Sequence, residues 1–485
     1  MFKAILENYE VYLMIGRKKE QIILQNCLES PRAEFVVVYG RRRVGKTFLI
    51  KEYFNNSFAF YATGLSNTKT KEQLKAFNGS LIEYGLVDNK QPKDWYEAFM
   101  KLKQLLLNDN VRRDPVSGKK VVFLDELPWM DTARSDFKSA LEYFWNSFAS
   151  TQNDLVLIVC GSATSWIINN LLGNRGGFYN RITRQIHLFP FTLKECEDLY
   201  RLNGIQMTRQ QVVESYMVFG GIPYYINCFD KRLSLAQNID ELLFKEGGQL
   251  YYEYDMLLKS LFKNYERHVA IIDAISKSKG GMERTDLAKI AEIGDGEPLT
   301  KALNELEQCG FIRKYKNYAK ENSKFNFQLI DPFMNFCFKF IKNREHESWM
   351  SYINTPSYFS WSGNAFELVC LLHVKQIKNA LGISGVETME YAWRSVKKEN
   401  GAQIDLLIDR KDGVINACEI KYTLLPFEID SKYEMELRNK LAVFVSETSC
   451  NKALHLTMIS ANGLKHNAHS DVVQNEISDD DLFSI

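Results

Sequence analysis

The amino-acid sequence predicts an α/β protein built from several domains. Its 485 residues exceed the roughly 100–200 residues of a typical domain, so the chain is long enough for more than one. Hydrophobic residues make up 45% and charged residues 25% of the chain, which is the balance of a globular protein. In the first third, continuous apolar segments alternate with helical patterns, which is typical of a parallel sheet covered by helices on both faces.

We predict that five segments form the strands of this first sheet. They span residues 35–40, 58–63, 121–126, 155–162 and 184–188. From about residue 192 to residue 262 the pattern is helical. Residues 265–315 then contain three helical patterns and an apolar strand, an order that predicts a winged helix-turn-helix.

A second α/β unit is predicted from about residue 364 to the end of the chain. A helix precedes predicted strands at 387–395, 402–410 and 414–423, and a further helix and strand follow at 432–441 and 452–460. The segment Ser478-Asp479-Asp480-Asp481 is predicted to form a solvated tail.

Charge and cysteine usage limit the classes of protein. The chain has 61 Lys and Arg against 60 Asp and Glu, so its net charge of +1 argues against binding nucleic acid through bulk basic charge but permits a local patch. No apolar run reaches the roughly 18 residues of a membrane span, and no signal-peptide pattern opens the chain. Nine dispersed cysteines without a CxxC pair indicate reduced thiols and no zinc site. We therefore expect a cytoplasmic protein without membrane contact.

The most specific motif is a phosphate-binding loop between the first predicted strand and an amphipathic helix. It fits the pattern GxxxxGK[ST], in which the glycines let backbone N–H groups face phosphates at a helix N-terminus. Its residues are Gly40, Arg41, Arg42, Arg43, Val44, Gly45, Lys46 and Thr47. Lys46 is expected to contact the β- and γ-phosphates of ATP, and Thr47 to ligate Mg²⁺.

Polar residues at the ends of later strands complete this candidate site. Asp125 is expected to hold Mg²⁺ through water, and Glu126 to polarise the attacking water, although strand-end carboxylates also occur without function. Ser162 is expected to sense the γ-phosphate or hold the attacking water, and the alternative is that it caps a helix. Arg181, favoured over Arg175, either stabilises the transferring phosphoryl group, in cis or in trans, or forms a surface ion pair.

Five motifs occur along the first half of the chain: GRRRVGKT, FLDELPWM, IVCGSATSW, NRITRQIHLFPF and FGGIPYYI. Together they resemble the archaeal-type ATPase family, a branch of the AAA+/STAND P-loop ATPases. Gly16 and Arg17 resemble that family's N-terminal motif near the adenine, and residues 220–223 resemble the start of its helical lid. The resemblance implies ATP binding and slow hydrolysis. It also implies four domains: a P-loop ATPase core at 1–195, a helical lid at 196–262, the winged helix and connector at 263–345, and a C-terminal domain at 346–485.

The predicted winged helix carries mixed signals for DNA binding. Its third helix has Lys301 but also Glu305 and Glu307, whereas a base-reading helix normally presents several basic or amide side chains. Basic residues that can contact phosphates cluster instead in the wing, at Arg313, Lys314, Lys316, Lys320 and Lys324. The alternative is a structural module between the ATPase and the C-terminal domain.

A second candidate centre lies in the C-terminal domain. Glu367 is on its first predicted helix, Asp405 on a strand, and Glu419 and Lys421 on the next strand, where residues i and i+2 share a face. Carboxylates of this kind bind Mg²⁺ and a neighbouring lysine steadies a charged transition state, which is the chemistry of phosphodiester hydrolysis. The order resembles the PD-(D/E)xK nuclease superfamily, with its restriction-endonuclease-like fold. The alternative is a fold relic without activity.

These residues together predict a slow, Mg²⁺-dependent ATPase switch that controls a nuclease-like domain acting on double-stranded DNA. The alternative is a non-nucleolytic STAND-type signalling protein or DNA-binding regulator, in which the C-terminal domain is only an interaction module. Self-association and an unknown protein partner remain open on the sequence alone.

Overall fold

The structure is a computed structural model that describes residues 14–173, 177–178, 180–262, 264–318, 325–342, 346–395 and 401–484. The chain divides into two compact units, Met1–Phe189 and Pro190–Ile485. The regions expected as lid, winged helix and C-terminal domain all lie in the second unit. In the described ranges, no helix is long and apolar enough to cross a membrane.

A parallel five-stranded sheet forms the centre of the first unit. Its strands are β1 (Glu34–Gly40), β2 (Phe60–Thr63), β3 (Lys120–Asp125), β4 (Leu155–Gly161) and β5 (Arg184–Leu188), in the spatial order β2-β3-β4-β1-β5. Every neighbouring pair is parallel, which confirms the predicted sheet. The helices are α1 (Lys18–Glu29), α2 (Lys46–Tyr53), α3 (Thr70–Glu83), α4 (Trp95–Leu106), α5 (Leu127–Met130), α6 (Phe137–Ser147) and α7 (Thr164–Ile167).

Burial of this sheet explains why its strands are apolar throughout. All residues of β3 and β4 are buried, and β1 is buried except at Tyr39. Because the strands are parallel and in register, with Tyr39 opposite Gly161, their carboxyl ends meet at one edge. The loops that follow β1, β3 and β4 carry the candidate nucleotide-binding residues.

The second unit begins with short helices that are capped by their own side chains. Thr192, Thr208 and Ser234 each form a reciprocal capping box at the start of a helix. These helices are α8 (Leu193–Leu202), α9 (Arg209–Phe219), α10 (Pro223–Ile226), α11 (Leu235–Ile239) and α12 (Glu253–Leu261).

The middle of the second unit contains the helices and strands expected of a winged helix. The helices are α13 (Tyr265–Ser276), α14 (Arg284–Ile290) and α15 (Glu297–Gln308). The strands β6 (Met282–Glu283), β7 (Ile312–Tyr315) and β8 (Asn326–Leu329) form an antiparallel sheet in the order β6-β8-β7.

The remainder of the second unit is a mixed α/β arrangement. Its helices are α16 (Pro332–Phe336), α17 (Pro356–Leu372), α18 (Val374–Ala380), α19 (Ser431–Thr448) and α20 (Asp479–Leu482). Its strands are β9 (Thr388–Arg394), β10 (Gln403–Arg410), β11 (Val414–Lys421), β12 (Phe427–Glu428), β13 (Ala453–Ser460), β14 (Leu464–Lys465) and β15 (Asn475–Ser478). The main sheet has the order β15-β13-β11-β10-β9, in which β10 is antiparallel to both neighbours and the other pairs are parallel.

The prediction of a solvated acidic tail is wrong. Asp479–Leu482 forms the short helix α20, and Leu482 is fully buried. Ser478 and Asp481 form a capping box, in which Asp481 accepts from the Ser478 backbone N–H, and the aspartates of this segment suit the positive end of a helix.

Candidate nucleotide-binding and acidic sites

Two glycines set the curl of the loop between β1 and α2. Gly40 has φ 147°, and a Cβ there would lie 2.2 Å from the carbonyl oxygen of Leu188. Gly45 has φ 91° and directly precedes α2. Both conformations favour glycine, which is why the motif places glycine at these two positions.

Hydrogen bonds from a lysine of the loop itself and from the N-terminal segment hold the phosphate loop in place. The buried Lys46 donates from Nζ to the carbonyl oxygens of Gly40 and Arg41, each at 3.0 Å. The buried Arg17 donates from its guanidinium to the carbonyl of Val44 at 3.1 Å. Gln21 donates to the Gly16 carbonyl at 3.2 Å within the N-terminal motif. Through Arg17, this motif contacts the phosphate loop.

Thr47 and Asp125 lie together, as a magnesium site requires. Thr47 Oγ1 donates to the Asp125 carboxylate, 2.9 Å from Oδ2. Asp125 also accepts from the backbone N–H of Glu126 at 2.9 Å and from the thiol of Cys160 at 2.6 Å. Burial raises the pKa of the Asp125 carboxyl above its ordinary value. Sequence reasoning missed Cys160, although the pairing of β3 with β4 is the signal that places it beside Asp125.

Glu126 and Ser162 form a direct pair. Ser162 donates to the Glu126 carboxylate twice, from Oγ at 2.6 Å and from its backbone N–H at 3.1 Å. Glu126 itself has φ 47°, in the left-handed region. The residue before α7 is Ala163 and it provides no side-chain cap, so the capping alternative for Ser162 finds no support here.

The remaining arginines differ in exposure. Arg41 is buried, whereas Arg42 and Arg43 are partly buried. Arg181 is exposed, and its backbone N–H donates to Phe178 in the turn before β5. Arg175 lies outside the described residues.

Hydroxyl and carboxylate oxygens are the ligands that Mg²⁺ prefers, and Thr47 and Asp125 supply one of each at contact distance. Over the described ranges, no group of three or more His, Cys, Asp or Glu residues is arranged to hold a metal ion. A magnesium ion bound with ATP needs only one or two protein carboxylates, because phosphates and water complete its shell. The residues at this site therefore fit the ion.

The site combines a glycine-rich loop between a strand and a helix with the lysine of that loop. A hydroxyl–carboxylate pair lies at the carboxyl edge of the same parallel sheet. These features define a P-loop nucleotide-binding protein. Residues 14–229 match the family described as an ATPase domain predominantly from Archaea. Through these residues the chain belongs to that ATPase family, and it is an ATPase.

Two proteins of Methanocaldococcus jannaschii are similar in sequence. An uncharacterized protein is 24% identical over 343 residues, covering 68% of this chain and 69% of that protein. An uncharacterized ATP-binding protein is 40% identical over 48 residues, covering 10% of this chain and 81% of that protein.

Two solved structures are similar in fold. A Walker-type ATPase of Pyrococcus abyssi has a TM-score of 0.47 at 17% identity, covering 67% of this chain and 96% of its own. The ORC2 protein of Aeropyrum pernix has a TM-score of 0.42 at 15% identity, covering 76% and 97%.

The acidic residues of the C-terminal region are distributed as the sequence suggests. Glu367 is on α17, Asp405 on β10, and Glu419 and Lys421 on β11. Strands β10 and β11 are antiparallel, with Leu406 opposite Cys418, so Asp405 and Glu419 are the next residues along two adjoining strands.

Glu419 is closely surrounded by partners from β11 and α19. Its Oε1 accepts from the Tyr433 hydroxyl at 2.6 Å and lies 3.2 Å from Lys421 Nζ, while Oε2 lies 2.5 Å from Lys440 Nζ. Burial raises the pKa of the Glu419 carboxyl, but the charges of Lys440 and Lys421 outweigh burial and hold the pKa below its ordinary value. Sequence reasoning missed Tyr433 and Lys440, because α19 gives no motif that marks its inward face.

Glu367 has a different environment. Burial and the negative charge of Asp405 raise the pKa of the Glu367 carboxyl to about 7, although Lys279 partly offsets the rise. Lys279 Nζ lies 2.8 Å from Glu367 Oε1. Asp405 accepts a hydrogen bond from the Gln403 amide on its own strand.

This arrangement of carboxylates does not fit a divalent cation. Among the described residues, Glu367, Asp405 and Glu419 are not arranged to hold a metal ion together. Both oxygens of Glu419 have cationic partners, and Glu367 pairs with Lys279. The ammonium groups of these lysines therefore balance the negative charge of the carboxylates, a role that the sequence suggests for a metal ion.

The basic residues of the predicted wing contact aromatic and amide groups. Arg313 donates to Gln328 at 2.7 Å and lies over the ring of Tyr315. Lys314 and Lys316 lie over the ring of Phe325. Lys320 and Lys324 lie outside the described residues. On α15, Lys301 is exposed and Glu305 accepts from the buried His268, so this helix uses a carboxylate for internal packing.

Proposed function

We propose that this ATPase is a Mg²⁺-dependent switch that controls a nuclease-like C-terminal domain directed at double-stranded DNA. The observation that carries the first half is the contact between Thr47 and Asp125 beside the buried Lys46. Lys46 would bind the β- and γ-phosphates, and Thr47 and Asp125 would hold Mg²⁺. When bound with ATP, the ion neutralises charge on the phosphates.

Glu126 is the proposed base that orients the attacking water. Its carboxylate lies at the same sheet edge as the phosphate loop, and the two hydrogen bonds from Ser162 fix its direction. Gly16 and Arg17 are proposed to lie beside the nucleotide, because Arg17 already contacts the phosphate loop. The exposed Arg181 is available to stabilise charge on the transferring phosphoryl group in cis or from a second copy.

The DNA-directed half rests on the order and placement of Glu367, Asp405, Glu419 and Lys421 on one helix and two adjoining strands. Lysines 421 and 440 supply positive charge at the same place, which suits a phosphodiester backbone. The proposed division of labour follows the four expected domains: core 1–195, lid 196–262, winged helix and connector 263–345, and C-terminal domain 346–485.

Two assays test the two halves separately. ATP turnover by Lys46→Ala should fall to background, whereas Lys51→Ala, a matched change on the same helix, should keep turnover. Plasmid incubated with Mg²⁺ or Mn²⁺ and ATP should be cut by the unaltered protein and not by Asp405→Ala. Equal turnover by Lys46→Ala would overturn the first half, and cleavage that survives Asp405→Ala would overturn the second.

A specific observation favours a second candidate, in which the C-terminal domain binds DNA or a protein without cleaving. Glu419 and Glu367 are ion-paired to lysines, and this arrangement needs no metal. Salt-dependent duplex binding without cleavage under any divalent cation would favour this candidate.

A further inference from the structure

A buried thiol lies directly beside the carboxylate that is expected to hold magnesium in the first unit. Leu124 of β3 is opposite Val159 of β4, so Asp125 and Cys160 are the next residues along two parallel strands. Cys160 is 0% exposed and Asp125 is 4% exposed. The Cys160 side chain therefore reaches Asp125 from within the sheet, where the low local dielectric strengthens a hydrogen bond.

The contact is a hydrogen bond that the thiol donates. Cys160 Sγ lies 2.6 Å from Asp125 Oδ1. A thiolate this close to a carboxylate would place two negative charges together inside the sheet, so the sulfur keeps its proton and acts as the donor. Cysteine also suits the position because its side chain is otherwise a small hydrophobic group, and every residue of β4 is buried.

The two oxygens of the Asp125 carboxylate have different surroundings. Oδ1 accepts from the Cys160 thiol, from the backbone N–H of Glu126 at 2.9 Å and from Thr47 Oγ1 at 3.1 Å. Within the described ranges, the hydrogen bond that Oδ2 accepts comes from Thr47 Oγ1, at 2.9 Å. The thiol and the N–H thus anchor Oδ1, which leaves Oδ2 directed at Thr47.

The backbone donor alone would hold this carboxylate loosely. The last torsion of an aspartate side chain is broad and roughly two-fold, so a single hydrogen bond to one oxygen leaves it free to turn. The N–H of Glu126 is one such bond, and the thiol of Cys160 adds a second donor to the same oxygen. The cysteine therefore restricts the carboxylate to the orientation in which Oδ2 meets Thr47.

We propose that Cys160 is a positioning residue of the ATPase reaction, whose thiol orients the Asp125 carboxylate so that Oδ2 is available to Mg²⁺ beside Thr47. This inference rests on the magnesium role of Asp125 in the proposed function and is independent of what is proposed for the C-terminal domain. Strand β4 and the residue that follows it then orient both carboxylates of the site, since Cys160 acts on Asp125 and Ser162 acts on Glu126.

The test is the gain in nucleotide affinity that Mg²⁺ produces. The Kd of a non-hydrolysable ATP analogue is measured by titration calorimetry on the full chain, once with Mg²⁺ and once with EDTA, and the ratio of the two values is the gain. Cys160→Val removes the donor but keeps an apolar side chain that suits a strand. It should reduce the gain by about tenfold, the scale expected when the hydrogen-bond partner of a metal ligand is lost, and leave the Kd in EDTA unchanged.

A conservative variant separates positioning from packing. Cys160→Ser keeps a donor next to Asp125 and should restore most of the gain, whereas a purely structural role would leave serine at least as damaging as valine in the buried strand. The matched control is Cys418→Val, at a similarly buried cysteine of β11 whose Sγ lies 3.9 Å from the Asn416 carbonyl oxygen. It should show the same gain as the unaltered protein.

Steady-state turnover supplies a second measurement. Cys160→Val should need about tenfold more Mg²⁺ for half-maximal ATP hydrolysis and should recover kcat at saturating Mg²⁺, because the carboxylate is still present but less well oriented. An unchanged gain in Cys160→Val would overturn the proposal, as would a loss that Cys160→Ser shares in full. Thermal denaturation shows whether each variant is folded, and an unfolded Cys160→Val is replaced by Cys160→Ala under the same criteria.

Asp125→Asn separates failure of this inference from failure of the proposed function. If Asp125→Asn keeps the full gain, the proposed magnesium role of Asp125 fails and the inference fails with it. If Asp125→Asn loses the gain and Cys160→Val keeps it, the magnesium role stands and the inference alone fails. In the double variant, Cys160→Val should add no further loss to that of Asp125→Asn, because the thiol acts through this carboxylate.

Discussion

At the scale of single residues, the phosphate site depends on a few side chains that hold one another. Lys46 is held by the carbonyls of its own loop, Thr47 by Asp125, and Glu126 by Ser162. The motif alone predicts the types of residue, because phosphate and magnesium binding demand them. It does not predict the Ser162–Glu126 bonds, because these depend on the carboxyl ends of β3 and β4 meeting at one edge.

Replacing Ser162 by alanine should lower kcat for ATP hydrolysis by about tenfold, because Glu126 loses the hydroxyl that directs its carboxylate. The Kd for ATP should be unchanged, because the Ser162 hydroxyl and backbone N–H are both bonded to Glu126. Steady-state turnover and nucleotide titration check both values. Ser147→Ala, at an exposed serine ending α6, is the control. A higher kcat in Ser162→Ala would show that Ser162 restrains Glu126 instead.

Replacing Gly40 by alanine should abolish ATP binding and lower the thermal midpoint, because the new Cβ would lie 2.2 Å from the Leu188 carbonyl and φ is 147°. Gly79→Ala, inside α3 with nothing near its Cβ, should instead be neutral or stabilise by up to about 1 kcal/mol. Thermal denaturation and nucleotide titration of Gly40→Ala and Gly79→Ala measure the two effects. Normal ATP binding by Gly40→Ala would contradict the described loop geometry.

At the scale of elements, His373 links the end of α17 to the start of α8. Its Nε2 accepts from the Leu193 backbone N–H at 3.0 Å, and its Nδ1 donates to the Val369 carbonyl at 2.8 Å. Acceptance at Nε2 requires the neutral ring, with its proton on Nδ1. An isolated histidine in a helical pattern gives no sign of this role in the sequence, because its partner is 180 residues away in the chain.

The neutral His373 makes stability depend on pH. Burial lowers its pKa to about 4, against an ordinary value of 6.5. The unfolded chain therefore binds the proton more readily, and stability present above pH 6.5 is lost as pH falls towards 4, by about 3 kcal/mol in total. The thermal midpoint should fall less steeply between pH 6.5 and 4 for His373→Gln than for the unaltered protein.

The control for this pH effect is His466→Gln, at a largely exposed histidine. It should follow the pH profile of the unaltered protein. Identical profiles for His373→Gln and the unaltered protein would mean that His373 is not held neutral.

Also at this scale, strands were easier to predict than the contacts between elements. The segment 155–162 is apolar because both faces of the central strand β4 are covered. The segment 184–188 is only partly apolar, because β5 is an edge strand in which just Ile186 and Leu188 are buried. Both segments form strands in the structure. For residues 478–481, which include three aspartates, the prediction from the sequence is wrong. Their charge suggests exposure to solvent, whereas helix capping and the buried Leu482 place them in a folded helix.

At the scale of the whole molecule, the charges of 61 basic and 60 acidic residues nearly cancel, and part of this cancellation occurs through direct ion pairs. In the C-terminal region, lysines from β11, α19 and the turn after α13 meet the carboxylates that the sequence suggests for a metal. The sequence alone shows an aspartate on one predicted strand followed by a Glu-x-Lys motif on the next. The pairing with Lys279 and Lys440 is not, because it depends on tertiary packing of segments far apart in the chain.

We propose that ATP at the phosphate loop controls the C-terminal domain, and plasmid cleavage as a function of ATP is the sharpest test of this control. With Mg²⁺ present, cleavage by the unaltered protein should require ATP and should be lost in both Lys46→Ala and Asp405→Ala. Cleavage at the same rate with and without ATP, or undiminished cleavage by Lys46→Ala, would contradict it.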